Sequence, residues 1–304
     1  MSDNKSEIKL NEEQPAKLPS DKVILEEREK TAESGASPES KLQKEEEKGK
    51  LQEDMRKLIE QNTEFEQELK KDIAKGPPIS AKATFAPLLA EYGKNKYFAA
   101  LESLSKSFTY IRRARRDGNC FYRSYLIQML EFMNPHKGTA GGALIEEKLK
   151  NSKDLLLAAA YDSLVFEDSY DLLMNELEKL KKSTPENFES ILVEIISNPD
   201  TSNYLLLYVR LITAAYIRTH PEVFLGFVAG NSIDEYCRME IEHFDYDCDH
   251  VQILALTSYM EVGVTIYAAR EEGKIEIMKF PDSAKDYPIS MLLLPGHYDP
   301  IYPS

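Results

Sequence analysis

Cysteine is scarce, with three in 304 residues, and tryptophan is absent. Three thiols cannot all pair, and they are too few to staple a secreted scaffold. No apolar run approaches the roughly 20 residues of a membrane span. The first ten residues, MSDNKSEIKL, lack the basic-then-apolar order of a secretory signal. Positive charge is also short: 38 Lys and Arg stand against 52 Asp and Glu, for a formal net charge of −14. That balance argues against nonspecific nucleic-acid or anionic-membrane binding. Together these shortages predict a soluble protein of a reducing compartment, cytoplasmic or also nuclear, with no nucleic acid and no membrane among its partners.

Aromatic residues are missing where charge is densest. Residues 1–80 hold 15 Lys and Arg, 20 Asp and Glu and a single aromatic, Phe65, while 28 of the 29 Phe and Tyr lie beyond. The chain therefore divides into a charged arm and a body large enough to bury a core. Residues 1–40 carry no periodicity and read as a disordered polar arm. Over 41–76, Leu51, Met55, Leu58, Asn62, Phe65 and Leu69 recur at spacings of four and three, a stripe that Gly76-Pro77-Pro78 ends. The stripe is either a solvated amphipathic helix or a partner-binding helix seeking a groove. Three heptads with the polar Asn62 in the seam are too few for a coiled coil.

The body, 80–304, reads as helices first and strands last. Helical spacing runs over 85–92, 96–108, 120–132, 145–164, 170–182, 185–197 and 203–219, the last apolar nearly all round. Ser232 can cap a helix through Ile241, and Asp249 another through Met260. Strands follow at 262–269 and 275–280, joined by a turn at Glu271-Glu272-Gly273-Lys274, with a further one at 290–294. This pattern predicts an α+β domain with a small antiparallel sheet built late in the chain.

The chemistry centres on Cys120. It follows the turn Asp117-Gly118-Asn119 and opens an apolar helix, where peptide dipoles favour a thiolate and free first-turn amides can hold an oxyanion. By position alone a buried, inert cysteine is the favoured reading. A base changes the balance. Of five histidines, His297 alone follows a strand and Pro295-Gly296, with Asp299 two residues on. Residues two apart on a strand share a face. Asp299 can thus hold one imidazole nitrogen while the other faces a thiol, an arrangement of nucleophile, base and orienter.

Asp117-Gly118-Asn119-Cys120-Phe121-Tyr122-Arg123 together with Gly296-His297-Tyr298-Asp299 closely resembles the otubain branch of the ovarian-tumour (OTU) family of cysteine deubiquitinases. Tyr110 to Arg113, Tyr208 to Thr213, Glu235 to Cys237, Asp249 to Val251 and Leu292 to Tyr302 agree with it, and the resemblance covers most of residues 84–303. It implies a papain-like OTU cysteine-protease fold, with helical lobes around a small, mostly antiparallel sheet. It also implies hydrolysis of ubiquitin isopeptide bonds, Lys48-linked chains first, with Cys120 as nucleophile, His297 as base and Asp299 as its orienter. No cofactor and no metal are implied. Asp117 would sit at the oxyanion loop formed by the backbone of Asp117, Gly118, Asn119 and Cys120. Both aspartates are catalytic candidates, but only one can be the imidazole's partner, and the two-residue spacing favours Asp299. The stretch from Phe227 to Ile233 is similar to an otubain segment that contacts ubiquitin, which implies ubiquitin-binding roles for Phe227, Asn231 and Ile233; capping by Ser232 explains the same residues. Partners implied are ubiquitin, polyubiquitin chains and ubiquitin-conjugating enzymes. The rival from another class is a non-catalytic binding protein that restrains such an enzyme through the N-terminal helix.

Some positions depart from the pattern. Pro300 stands where an aliphatic residue follows Gly-His-Tyr-Asp, which predicts a frayed or edge position for the last strand. Gln252 takes the place of a histidine, and 134–152 matches poorly. Arg112, Arg113, Arg115 and Arg116 form either a solvated flank or a cluster that lowers the neighbouring thiol pKa. Cys237, His243, Cys248 and His250 are zinc-ligand types within 14 residues, but no paired spacing fits, so packing is the favoured reading. Asp245, Asp247 and Asp249 alternate without the Gly and Glu of a calcium loop.

Overall fold

The structure, a computed structural model, describes residues 76–303 apart from 94, 138–140, 229–231 and 245, and all of these fall in the compact unit Gln67–Ser304. The disordered arm of 1–40 and the Leu51–Leu69 stripe lie outside the described residues, as does Asn231.

Six strands form one sheet: β1 (Ala83–Thr84), β2 (Phe108–Ile111), β3 (Val264–Ala269), β4 (Ile275–Phe280), β5 (Ile289–Leu294) and β6 (His297–Pro303), in the order β1-β2-β6-β5-β3-β4. Four pairings are antiparallel and β3–β5 is parallel, with Val264 opposite Ile289. The sheet is thus mixed rather than wholly antiparallel, and it recruits two early segments. At two and four residues, β1 and β2 are too short to display a period-two pattern, which is why alternation does not reveal them. The β3–β4 hairpin occupies one edge of β3, so β5 must return along the other, in the same direction.

Both faces of the sheet are covered. Met291 on β5 and Tyr298 on β6 point into the large helical core, whereas Leu292, Leu294 and Ile301 point into a smaller cluster. That cluster lies under α1 (Ala86–Glu91) and α2 (Phe98–Leu104), through Leu88, Leu101 and Leu104. Burial on both faces explains why β5 reads as a continuous apolar run from Met291 to Leu294. Phe108, where the helical spacing of 96–108 was expected to end, opens β2 instead.

On the large face lies α3 (Cys120–Phe132), buried at every position from Cys120 to Glu131. Around it pack α4 (Gly141–Ala158), α5 (Ser163–Lys181), α6 (Phe188–Ser197) and α7 (Pro199–Thr219). The single helix expected over 145–164 is two. Ala160 takes φ 63°, Tyr161 N–H donates to Leu156 O at 3.1 Å and Ala160 N–H to Leu157 O at 3.0 Å, which closes α4 in a Schellman motif. Asp162 then caps α5 by accepting from Leu164 N at 3.0 Å. With alanine in the position that glycine usually fills, no breaker marks the boundary. Further along the chain come α8 (Pro221–Phe224), a 3-10 turn at Leu225–Phe227, α9 (Ile233–Tyr236) running into a π turn at Cys237–Ile241, and α10 (His250–Met260). Ser232 and Asp249 cap α9 and α10.

Pro300 does not mark an edge. β6 lies between β2 and β5, with Pro300 buried opposite Met291. Its carbonyl accepts from Arg112 N at 3.0 Å, just past the end of β2. In an antiparallel pair a residue's N and O face the same neighbour. The missing N–H therefore costs one bond where the β2–β6 ladder is already ending.

Candidate active site

The nucleophile turn is held by its own side chains. Gly118 adopts φ 76°, a left-handed conformation that bends Asp117 back over the first turn of α3. The Asp117 carboxylate accepts from Arg123 Nη1 at 2.9 Å, Arg123 Nη2 at 2.8 Å and Asn119 N at 3.2 Å. Arg123 is fully buried, so this bidentate pair supplies the anion that a guanidinium out of reach of water needs, through its two Nη groups. Asn119 precedes α3 without capping it. Its amide instead donates to Asp117 O at 3.1 Å and Phe244 O at 2.9 Å, while Oδ1 accepts from Arg210 Nη1 at 2.9 Å. The first-turn amides of α3 are consequently left unused by the capping residue, in the place where an oxyanion beside Cys120 would seek donors.

Cys120 begins a stripe down α3. Its Sγ accepts from Tyr298 N at 3.4 Å, Ser124 Oγ donates to Tyr298 O at 3.3 Å, and the Gln128 side chain exchanges bonds of 2.7 and 2.9 Å with O and N of Ser290. Residues at i, i+4 and i+8 share a helix face. This stripe fixes the height of α3 against β6 and β5, and so places Cys120 at the start of β6.

There His297 and Asp299 stand. Gly296 turns the chain with φ 65°, and His297 opens β6. Imidazole Nε2 lies 2.9 Å from Asp299 Oδ1, which also accepts from Ala114 N at 2.8 Å. A carboxylate only accepts, so in the neutral ring Nε2 carries the proton and Nδ1 keeps its lone pair. That Nδ1 is buried without a hydrogen-bond partner. Asp299, and not Asp117, is the carboxylate on the imidazole.

Burial dominates the thiol. With 4% of its surface exposed, Cys120 is pushed up to about 12; the Tyr298 N–H pulls the other way, and Asp247, Asp299 and Asp117 add to the rise. This runs against the easily ionised thiol expected from a helix N-terminus, because loss of water is the largest influence on the sulfur and raises it. Of the arginine run, only Arg116 is exposed like a solvated flank. Arg112 is buried and bonded to Ser80 O, Tyr302 Oη, Glu131 and Glu189, while Arg113 Nε sits 3.3 Å from Asp299 Oδ2.

Phe227 is 60% exposed, beside the equally exposed Leu225. Ile233 is half-buried against the cluster of Val228, Tyr236 and Cys237. Among the described residues no group of three or more His, Cys, Asp or Glu gathers as a metal site. Cys237 Sγ donates to Ala214 O, His250 stacks near Phe280, and Asp245 lies outside the described residues.

Sequence reasoning assigned no role to Arg210. It is fully buried, stacks 4.8 Å over Tyr122 and donates to Ile241 O, His243 O, Tyr246 O and Asn119 Oδ1, tying those three carbonyls to the nucleophile turn. The available signal was one arginine amid an otherwise apolar stretch of helix, since a buried charge must be paired.

A cysteine opening a buried helix, touched by the strand that carries a histidine–aspartate pair, on an α+β scaffold, defines the papain-like class of cysteine proteases. Residues 71–303 match the family model described as Peptidase C65 Otubain, and the chain belongs to that family. It is 28% identical over 250 residues to the human ubiquitin thioesterase OTUB1, covering 81% of this chain and 89% of that one. To the Caenorhabditis elegans ubiquitin thioesterase otubain-like protein it is 30% identical over 238 residues, covering 74% and 81%. Among solved structures it resembles the complex of h/ceOTUB1 with ubiquitin aldehyde and UBC13~Ub, with a TM-score of 0.70, 28% identity and coverage of 81% of this chain and 98% of that one.

Proposed function

We propose that the protein is a deubiquitinating cysteine protease that hydrolyses the isopeptide bond after a ubiquitin C-terminus. The observation that carries this reading is the Tyr298 N–H on Cys120 Sγ, which brings the residue next to the imidazole onto the thiol. His297 Nδ1 takes the thiol proton, and the thiolate attacks the isopeptide carbonyl. Amides of the Asp117–Cys120 turn receive the oxyanion. The imidazolium then protonates the departing lysine amine, leaving a thioester. Water attacks that thioester, its proton passes to His297, and the ubiquitin carboxylate leaves as the thiol is restored. Asp299 keeps the ring oriented throughout. Phe227, Asn231 and Ile233 would receive ubiquitin's apolar surface, and the family likeness points to Lys48-linked chains as the first cut.

The test is a panel of linkage-defined diubiquitins, with wild type beside Cys120→Ala. The variant should lose all cleavage while still binding ubiquitin, and unchanged cleavage would reject the mechanism.

A second activity is supported by the neighbouring structures, in which OTUB1 is held with UBC13~Ub and with UBCH5B~Ub. The protein would bind ubiquitin-charged conjugating enzymes and restrain them without cleavage. Removing residues 1–75 should weaken that restraint more than it slows hydrolysis of a minimal ubiquitin C-terminal substrate. Equal loss of both would count against a separate role for the arm.

A further inference from the structure

The two oxygens of Asp299 have different duties. Oδ1 is fully engaged, by the ring of His297 at 2.9 Å and the backbone N–H of Ala114 at 2.8 Å. Oδ2 is buried and accepts no hydrogen bond, but Arg113 Nε lies 3.3 Å away. The same guanidinium donates through Nη1 to Glu91 Oε2 at 2.9 Å, at the C-terminal end of α1. A line of alternating charge thus runs from the surface at Glu91, through Arg113, to Asp299 and His297. We propose that Arg113 is a positioning residue of the catalytic pair: held by Glu91, its cation competes with the imidazolium for the Asp299 carboxylate and so sets how readily His297 holds a proton.

The electrostatics favour a measurable effect. The side chains of His297 and Asp299 are both 1% exposed, so little water intervenes to screen a charge at this range. The other charged and titratable groups near the site are already committed or act on the sulfur. Asp117 is spent on Arg123; Asp247 bears on Cys120, and Asp249 and Cys248 on Tyr298; Tyr92 lies beside Arg113. The backbone does not depend on the guanidinium. Arg113 N donates to Ser80 Oγ at 2.8 Å and its carbonyl accepts from Ser80 N at 2.9 Å, so replacing this half-buried side chain leaves the segment anchored.

This inference rests on the proposed role of His297 as base, but its test requires no substrate. In the full chain, nitrogen NMR follows the imidazole of His297, identified by the resonances missing from His297→Asn. Loss of a nearby cation favours the imidazolium, so Arg113→Gln should move the titration midpoint up by on the order of half a pH unit. Glu91→Gln removes an anion and leaves Arg113 facing Asp299, so it should move the midpoint down by less. Arg113→Lys, which keeps the charge, should stay near wild type. A midpoint unmoved in Arg113→Gln, or moved the same way by both neutralising variants, would overturn the proposal. Should Arg113→Gln fail to fold, the downward move in Glu91→Gln decides it. Failure to cleave ubiquitin would defeat the proposed function while leaving this titration to be judged by itself.

Discussion

The Cys120 sulfur and the Tyr298 backbone N–H meet at 3.4 Å, across 178 positions of sequence. Two elements with opposite demands meet at that contact. The helix brings a nucleophile that must ionise, and the strand brings a packed interior that disfavours charge. The second demand prevails in the substrate-free protein, because burial pushes the thiol up to about 12.

Alkylation reads this balance directly. Only the thiolate reacts, so a raised thiol leaves little reactive sulfur at neutral pH. Iodoacetamide labelling of Cys120 in the free protein, followed by mass spectrometry, should keep rising as pH climbs past 9. A rate that reaches its plateau below pH 7 would show that the thiol is already ionised and the site already organised.

The two aspartates should part company under mutation. Asp117→Ala leaves the buried Arg123 guanidinium unpaired and should cost about 2–3 kcal/mol in urea unfolding. Asp299→Asn preserves the volume but lets the imidazole adopt the wrong tautomer or orientation. It should lower kcat by on the order of a hundredfold or more, with a smaller change in stability. The reverse ranking would move the orienting role to Asp117.

Gln128 makes a claim about register. Replacing it with Leu removes two hydrogen bonds to the Ser290 backbone and should destabilise the fold by about 1–3 kcal/mol. Because the same face carries Cys120, activity should fall further than the stability loss predicts at temperatures where the protein remains folded. Unimpaired turnover would mean that Ser124 and core packing alone set the height of the helix.

Much of the arrangement was legible from residues. Asp117 to Arg123 signalled a turn feeding a buried helix, and the spacing of His297 and Asp299 signalled a shared strand face; both are geometric consequences of short-range pattern. Helix caps at Ser232 and Asp249 were equally local. What local pattern could not carry were contacts between distant segments. β2 forms on the edge that β6 offers and β1 on the edge that β2 offers, and Pro300 is tolerated inside the sheet because β2 ends beside it. The α4–α5 break escaped notice because Ala160, not glycine, takes the left-handed position. The raised thiol is beyond local pattern for the same reason, since desolvation depends on what packs over Cys120 rather than on where the helix begins.

The order in which the parts leave the ribosome follows from β6 being both interior and late. The strand that carries the imidazole and the carboxylate is synthesised after every other strand and helix of the described domain, and it must insert between two neighbours to complete the sheet. A nascent chain therefore holds Cys120 without His297 over the 177 positions that separate them. The imidazole thus arrives in the same step as final closure of the fold, and a copy cut short before β6 lacks it.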